Sequence, residues 1–228
     1  MTYSQSRGYP KEYRGPCAIA EQIRLIAEVF SLDPRPALAL ARTLTPRAGA
    51  SAAEGVFALP RLDKVARSYE EAIELVLEIF ESQHRIRIDS EHVSFECAEP
   101  SFHSALAHLA LVDAHTVHEC DILLIPAQFG LRYAGRSVQN VRRELESSRI
   151  EFGLGLFEVL CMLVTHPERL AREDALSIDV PGDDYYPLGR KTAREALVVD
   201  RIRDELVISN VSRVVATRGA GSATGFLR

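Results

Sequence analysis

The segment Asp121-Ile122-Leu123-Leu124-Ile125-Pro126 constrains this chain more than any other stretch. A continuous apolar run bounded by polar residues lacks the alternation of a half-exposed strand and is short for a helix. It reads as a strand buried on both faces. Such a strand needs cover on each side, and the surrounding sequence offers mainly helices.

Residues 17–32 carry Ile19, Ile23, Ile26, Val29 and Phe30 on one helical stripe. Asp33-Pro34 ends that helix, because proline lacks the amide hydrogen and restricts the residue before it. A second helix is expected over residues 36–44, then a loop or linker rich in Ala, Gly and Ser over 45–55. Ser68-Tyr69-Glu70-Glu71 has the form of a capping box and predicts a helix to about Gln83. Beyond it the period changes to two. Ile86, Ile88, Val93, Phe95 and Cys97 alternate with polar residues around Asp89-Ser90-Glu91, which predicts a β-hairpin.

Further helices are expected from Ser101 to about Glu119, over 138–148, and over the apolar stretch 155–165; Pro167 restarts a short helix at its first position. A strand over 176–180 precedes a second hairpin, with arms at 197–200 and 206–211 joined through Arg203-Asp204-Glu205. The sum is an α+β fold, with helices packed on a small mixed or antiparallel sheet that includes two β-hairpins. Residues 1–16 form a loose N-terminal arm in this reading. Residues 17–218 form one globular domain, with 17–55 as a possible helical subdomain, and 219–228 form a flexible C-terminal tail.

Bulk composition narrows the function classes. A chain of 228 residues buries about 70–75 % of the surface its unfolded form exposes and needs no covalent staples. The formal net charge of −5 argues against a general nucleic-acid coat, although a local basic patch is compatible with it. Cys17, Cys97, Cys120 and Cys161 are widely spaced, form no C-x-x-C pair and fit a reducing cytoplasm. The most apolar run, residues 152–165, is too short for a bilayer and contains Glu158, so no membrane role is expected.

Four segments, Pro126-Ala127-Gln128-Phe129-Gly130, Gly135-Arg136-Ser137, Glu151-Phe152-Gly153-Leu154-Gly155 and Thr165-His166-Pro167-Glu168-Arg169-Leu170, resemble parts of an uncharacterised group of bacterial hypothetical proteins. The group has no assigned function, so the resemblance implies no activity, cofactor or site residue.

Three constellations could carry chemistry. Residues 129–137 form a Gly/Arg loop between the buried strand and a helix start. Arg132, Gly135, Arg136 and Ser137 there could hold a phosphate, using unpaired helix amides and the arginine forks. No Gly-Lys-Ser/Thr ends the loop, so it is not a P-loop. The helix from Ser101 carries His103, His108, Asp113, His115, His118 and Glu119. His115, His118 and Glu119 share a face at metal-binding spacing, without matching a zinc signature. Asp179, Asp183 and Asp184 flank Pro181-Gly182 at a strand's end, where carboxylates could hold Mg²⁺; beside Arg136 they would complete a phosphate-ester site.

The leading expectation is a binding module for a phosphate-bearing ligand, nucleotide or nucleic acid, at the Gly/Arg loop. One alternative is a metal-dependent hydrolase or nucleotide-processing enzyme. Another is a protein-interaction module using the acidic helix of Glu70, Glu71, Glu74, Glu78 and Glu81. The residues decide neither whether the chain is an enzyme nor which cofactor it would use.

Overall fold

A computed structural model describes residues 8–43, 53–83, 86–88, 93–116, 118–186, 195–212 and 214–227. The helices are α1 (Ile19–Phe30), α2 (Arg35–Thr43), α3 (Leu62–Val65), α4 (Tyr69–Gln83), α5 (Phe102–Thr116), α6 (Val138–Ser147) and α7 (Leu156–Thr165). The strands are β1 (Gly55–Pro60), β2 (Ile86–Ile88), β3 (Ala98–Pro100), β4 (Ile122–Gln128), β5 (Glu151–Gly153), β6 (Ser177–Tyr185), β7 (Glu195–Ile202), β8 (Glu205–Ser212), β9 (Ala220–Ser222) and β10 (Thr224–Phe226). The fold is α+β, as the alternation of periods predicts. None of the described helices is long and apolar enough to cross a membrane.

Two sheets share the core. The first is antiparallel in the order β1-β4-β10-β5; the second is mixed, in the order β2-β8-β7-β6-β3, with β9 also paired to β6. Strand β4 is buried along its whole length, and its alternation divides two apolar clusters. Ile122 and Leu124 pack with Ile23, Ile26 and Ala27 of α1, while Leu123, Ile125 and Ala127 face the cluster that contains α7. Helix α7 is buried on nearly every side and packs among β1, β6 and α4, which explains why its sequence lacks a polar stripe. The α1 and α2 segment shares its core with β1 and β4.

Ser68 caps α4 as its motif predicts, with the Glu71 amide donating to Ser68 Oγ at 3.1 Å. The Glu71 carboxylate reaches one residue further back than expected and accepts from the Arg67 amide at 2.7 Å. The β7–β8 hairpin forms where predicted, and Arg203 and Asp204 at its turn both have positive φ, as a two-residue primed turn requires.

Three expectations are corrected. The hairpin predicted around Asp89-Ser90-Glu91 does not form as drawn, although its turn lies outside the described residues. Strand β2 pairs in parallel with β8, residues Phe95–Cys97 form a 3₁₀ turn, and β3 pairs with β6. Period-two alternation fixes which face is buried and says nothing of which strand lies alongside.

The described part of the N-terminal arm, residues 8–16, is docked rather than loose. Gly8 bridges Ala175, and Tyr13 is buried with its hydroxyl donating to Glu54 at 2.8 Å. Tyr9 also bonds Glu54 and lies under the Arg169 guanidinium, 4.1 Å from its ring centre.

The third correction concerns the C-terminal stretch. Read as a flexible tail, it instead supplies β9 and β10, both buried, with β10 in the middle of the first sheet between β4 and β5. Its glycines allow close approach. A β-carbon on Gly221 would overlap the Gly130 carbonyl, and one on Gly130 would overlap that of Gly221.

Candidate functional site

The interior of β6 carries the feature that organises the site. Its register with β7 is regular from Ile178 to Val180, then breaks before resuming at Tyr185. At this bulge, Pro181-Gly182-Asp183-Asp184 turns toward the helices. The Gly182 amide donates to the Leu154 carbonyl at 2.9 Å, and the Gly182 carbonyl accepts from the Ser101 amide at 2.8 Å. The bulge is thereby tied to the start of α7 and the start of α5. A β-carbon on Gly182 would run into the backbone of residues 153–155, so glycine is needed for this approach.

Helix α7 has no capping side chain of its own, because Gly155 is its N-cap. Asp183 supplies the missing acceptor from the bulge: the Leu156 amide donates to Asp183 Oδ2 at 2.8 Å. Tyr69, the first residue of α4 and set by the Ser68 cap, donates its hydroxyl to Asp183 Oδ1 at 2.7 Å. Glu158 stands at the third position of α7, where the helix field favours a carboxylate. His108 approaches from α5, with Nδ1 3.7 Å from Glu158 Oε1.

The convergence is tight. A β-carbon at Gly155 would lie within 2.7 Å of the Tyr69 hydroxyl, Asp183 Oδ1 and Glu158 Oε2. Gly155→Ala should therefore force all three groups apart and destabilise the fold by about 2–3 kcal/mol. Chemical denaturation checks this expectation, and a variant as stable as the parent would show that the three oxygens do not meet there.

These groups line one end of a cavity of about 260 Å³, whose walls include Leu62, Pro100, Leu109 and Phe152. Asp183 is fully buried, and its carboxyl is pushed from the ordinary 3.8 up to about 7. Burial is the main cause and repulsion from Glu158 the next, against the lowering influence of the Leu156 amide, the Tyr69 hydroxyl and Arg142. Burial of the Tyr69 hydroxyl, followed by the field of Asp183 and Glu158, raises its pKa well above the phenol range, so it remains a donor. The arrangement combines an ionisable pair of carboxyls, a phenol and an imidazole at the end of an apolar chamber. It can bind a donor group and can hold or pass a proton.

A neighbouring cavity of about 430 Å³ shares Ser104 and Gly153 with the first and is also lined by His103, Arg142 and Asp184. Arg142 fastens the far side of the bulge. Its Nε donates to the Pro181 carbonyl at 2.9 Å, Nη1 pairs with Asp184 at 3.0 Å, and Nη2 bonds the Asp183 carbonyl. The arginine beside the aspartate loop is thus Arg142, not the Arg136 that the sequence suggested.

The other sequence-selected residues lie elsewhere. Arg136 pairs with Glu144 at 2.7 Å, Arg132 with Glu151 at 3.4 Å, and both guanidinium groups lie over the Tyr133 ring. Ser137 is the buried N-cap of α6 without a side-chain capping bond, and the Gly135 amide donates to the Ala220 carbonyl. Both arginines of the Gly/Arg loop are therefore already engaged by carboxylates, and the loop is packed against β9.

The histidine cluster does not assemble. His115 is buried, donating from Nδ1 to the Leu111 carbonyl at 2.8 Å and accepting at Nε2 from the Leu124 amide at 3.0 Å. That amide lies on the side of β4 that β10 reaches only at Ala127 and Gln128, so the imidazole supplies the acceptor a strand would. His118 and Glu119 are exposed in the following turn. Asp179, Asp183 and Asp184 do not converge either. Among the described residues no group of three or more His, Cys, Asp or Glu side chains could hold a metal ion. Cys161 is fully buried and its thiol is pushed well up by burial, which removes it as a nucleophile.

No family model matches the chain, no curated protein matches it, and no solved structure matches it.

Proposed function

We propose that the protein is a small-molecule binding protein whose ligand occupies the cavity between α4, α5, α7 and the β6 bulge. The supporting observation is the meeting of Tyr69, His108, Glu158 and Asp183, drawn from four elements, at one end of a largely apolar chamber. Apolar walls with a few convergent polar groups are what a small-molecule site requires, the walls giving affinity and the polar end giving orientation. A phosphate-bearing ligand at Arg132, Gly135, Arg136 and Ser137 is the weaker reading, because carboxylates already neutralise both arginines.

Thermal shift with a panel of small alcohols and aromatic alcohols tests the cavity. Saturable stabilisation is expected, since a ligand that binds only the folded state raises its stability. Ala105, which lines the chamber, should abolish the effect when changed to Trp. No stabilisation by any compound, or equal stabilisation of Ala105→Trp, would rule the cavity out. A nucleotide that stabilises the protein but not Arg136→Ala would move the site to the Gly/Arg loop.

A further inference from the structure

The polar end of the cavity is unbalanced in charge. The groups that face Asp183 can be taken element by element. Helix α4 brings the Tyr69 hydroxyl, and α7 brings the Leu156 amide and the Glu158 carboxylate. Helix α6 brings Arg142, which bonds the Pro181 and Asp183 carbonyls and the Asp184 carboxylate rather than the Asp183 side chain. Strand β3 places uncharged Pro100 opposite Asp183. Helix α5 brings His108, whose Nδ1 stays 3.7 Å from Glu158, beyond hydrogen-bond length.

Glu158 therefore presents a carboxylate that is only 14 % exposed and accepts no hydrogen bond from the described residues. A largely desolvated carboxylate without a donor is costly, and a ligand carrying donors relieves that cost. The oxygens of Tyr69, Glu158 and Asp183 lie close together at this end, each within 2.7 Å of where a Gly155 β-carbon would stand. A primary ammonium has three donors and no acceptor, which matches this set. The walls beyond it are aliphatic and aromatic.

We propose that the cavity takes a primary alkylammonium ligand, its ammonium held by Glu158, Asp183 and Tyr69 and its chain lying along Leu62, Leu109 and Phe152, an assignment that rests on the cavity reading above. The ammonium replaces the proton that Asp183 holds in the empty site, and that proton leaves to the buffer. Affinity consequently rises as the solution becomes more basic.

Titration calorimetry with n-hexylamine and its neutral isostere n-hexanol tests the assignment. The amine stays protonated through pH 8, since an alkylammonium titrates near the lysine value of about 10.4. Native protein should bind hexylamine about tenfold more tightly at pH 8 than at pH 6, through a single ionisation near neutrality. It should release protons at pH 6, seen as a dependence of the heat on buffer ionisation. Asp183→Asn should flatten the pH dependence. Glu158→Gln, which keeps a residue suited to the first turn of α7, should weaken hexylamine at least tenfold and hexanol by far less. Equal binding of hexanol and hexylamine would overturn the amine assignment and leave the cavity reading standing. Absence of binding by both compounds, with no effect of Ala105→Trp, would overturn both.

Discussion

Removing residues 219–228 should leave a chain that does not fold. The deletion withdraws β10 from between β4 and β5 and β9 from the edge of β6. It also strips a set of bonds that nothing else can supply. Gln128 loses the Ser222 carbonyl and the Thr224 hydroxyl, Glu151 loses the Thr224 hydroxyl, and the Leu154 amide loses the Ala223 carbonyl. The amides of Gly135 and Ser177 lose the carbonyls of Ala220 and Gly219. At about 1 kcal/mol net for each bond, and more for each buried group left bare, the loss matches the whole 5–15 kcal/mol that holds a typical domain together. Circular dichroism and gel filtration of the truncated chain check this. A monomeric, cooperatively unfolding product would show that β9 and β10 are dispensable. Gly221→Ala is the single-residue form of the same test, because its β-carbon would overlap the Gly130 carbonyl; a loss of about 3 kcal/mol is expected.

That stretch was also where sequence reading failed most clearly, and the reason is physical. Ala220-Gly221-Ser222 and Thr224-Gly225-Phe226 are too short to show a period, and glycine-rich composition looks the same in a linker and in a strand pressed against other backbone. By contrast, β4, α4, α7 and the β7–β8 hairpin were legible because each carries a local physical signature. These are an unbroken apolar run, a capping pair, an apolar helix without a polar stripe, and two hydrophobic arms around a polar turn. What no local signal holds is pairing: the partner of β2 is β8, more than a hundred residues away.

The candidate site divides in the same way. Nearness in sequence groups Asp183 with Asp179 and Asp184, and leaves His108 as one member of a polar cluster on its own helix. The partners present are Tyr69 and Glu158. Residues 69, 108, 158 and 183 meet only because the β6 bulge reaches the first turn of α7. The available hint was glycine at both ends of that contact: Gly153 and Gly182 mark a close approach of backbone, and Gly155 leaves room for the three side-chain oxygens.

Asp179→Asn should stabilise the protein at neutral and alkaline pH and leave it nearly unchanged in acid. The Asp179 carboxyl is 3 % exposed, and no hydrogen bond from the described residues reaches it. Burial alone pushes it from 3.8 up to about 7. In the ladder it stands opposite Ser222, whose Oγ is likewise buried without a partner among the described residues. Because the folded state raises this pKa, folding favours the protonated form. Stability is therefore fully present below the unfolded value near 3.8 and is lost as pH rises through about 7. A shift of this size corresponds to about 4 kcal/mol. Asparagine keeps the shape and never ionises, so the variant should gain about 2–4 kcal/mol over the parent at pH 8, after allowing for its own unpaired amide. Asp183 carries a shift of the same sign, so Asp179→Asn should remove only part of the pH dependence. Urea unfolding at pH 4.5, 6 and 8 decides the matter. Curves that run parallel across that range would mean that Asp179 reaches water or a donor in the folded chain, and that the second sheet is less closed along β6 than its burial pattern requires.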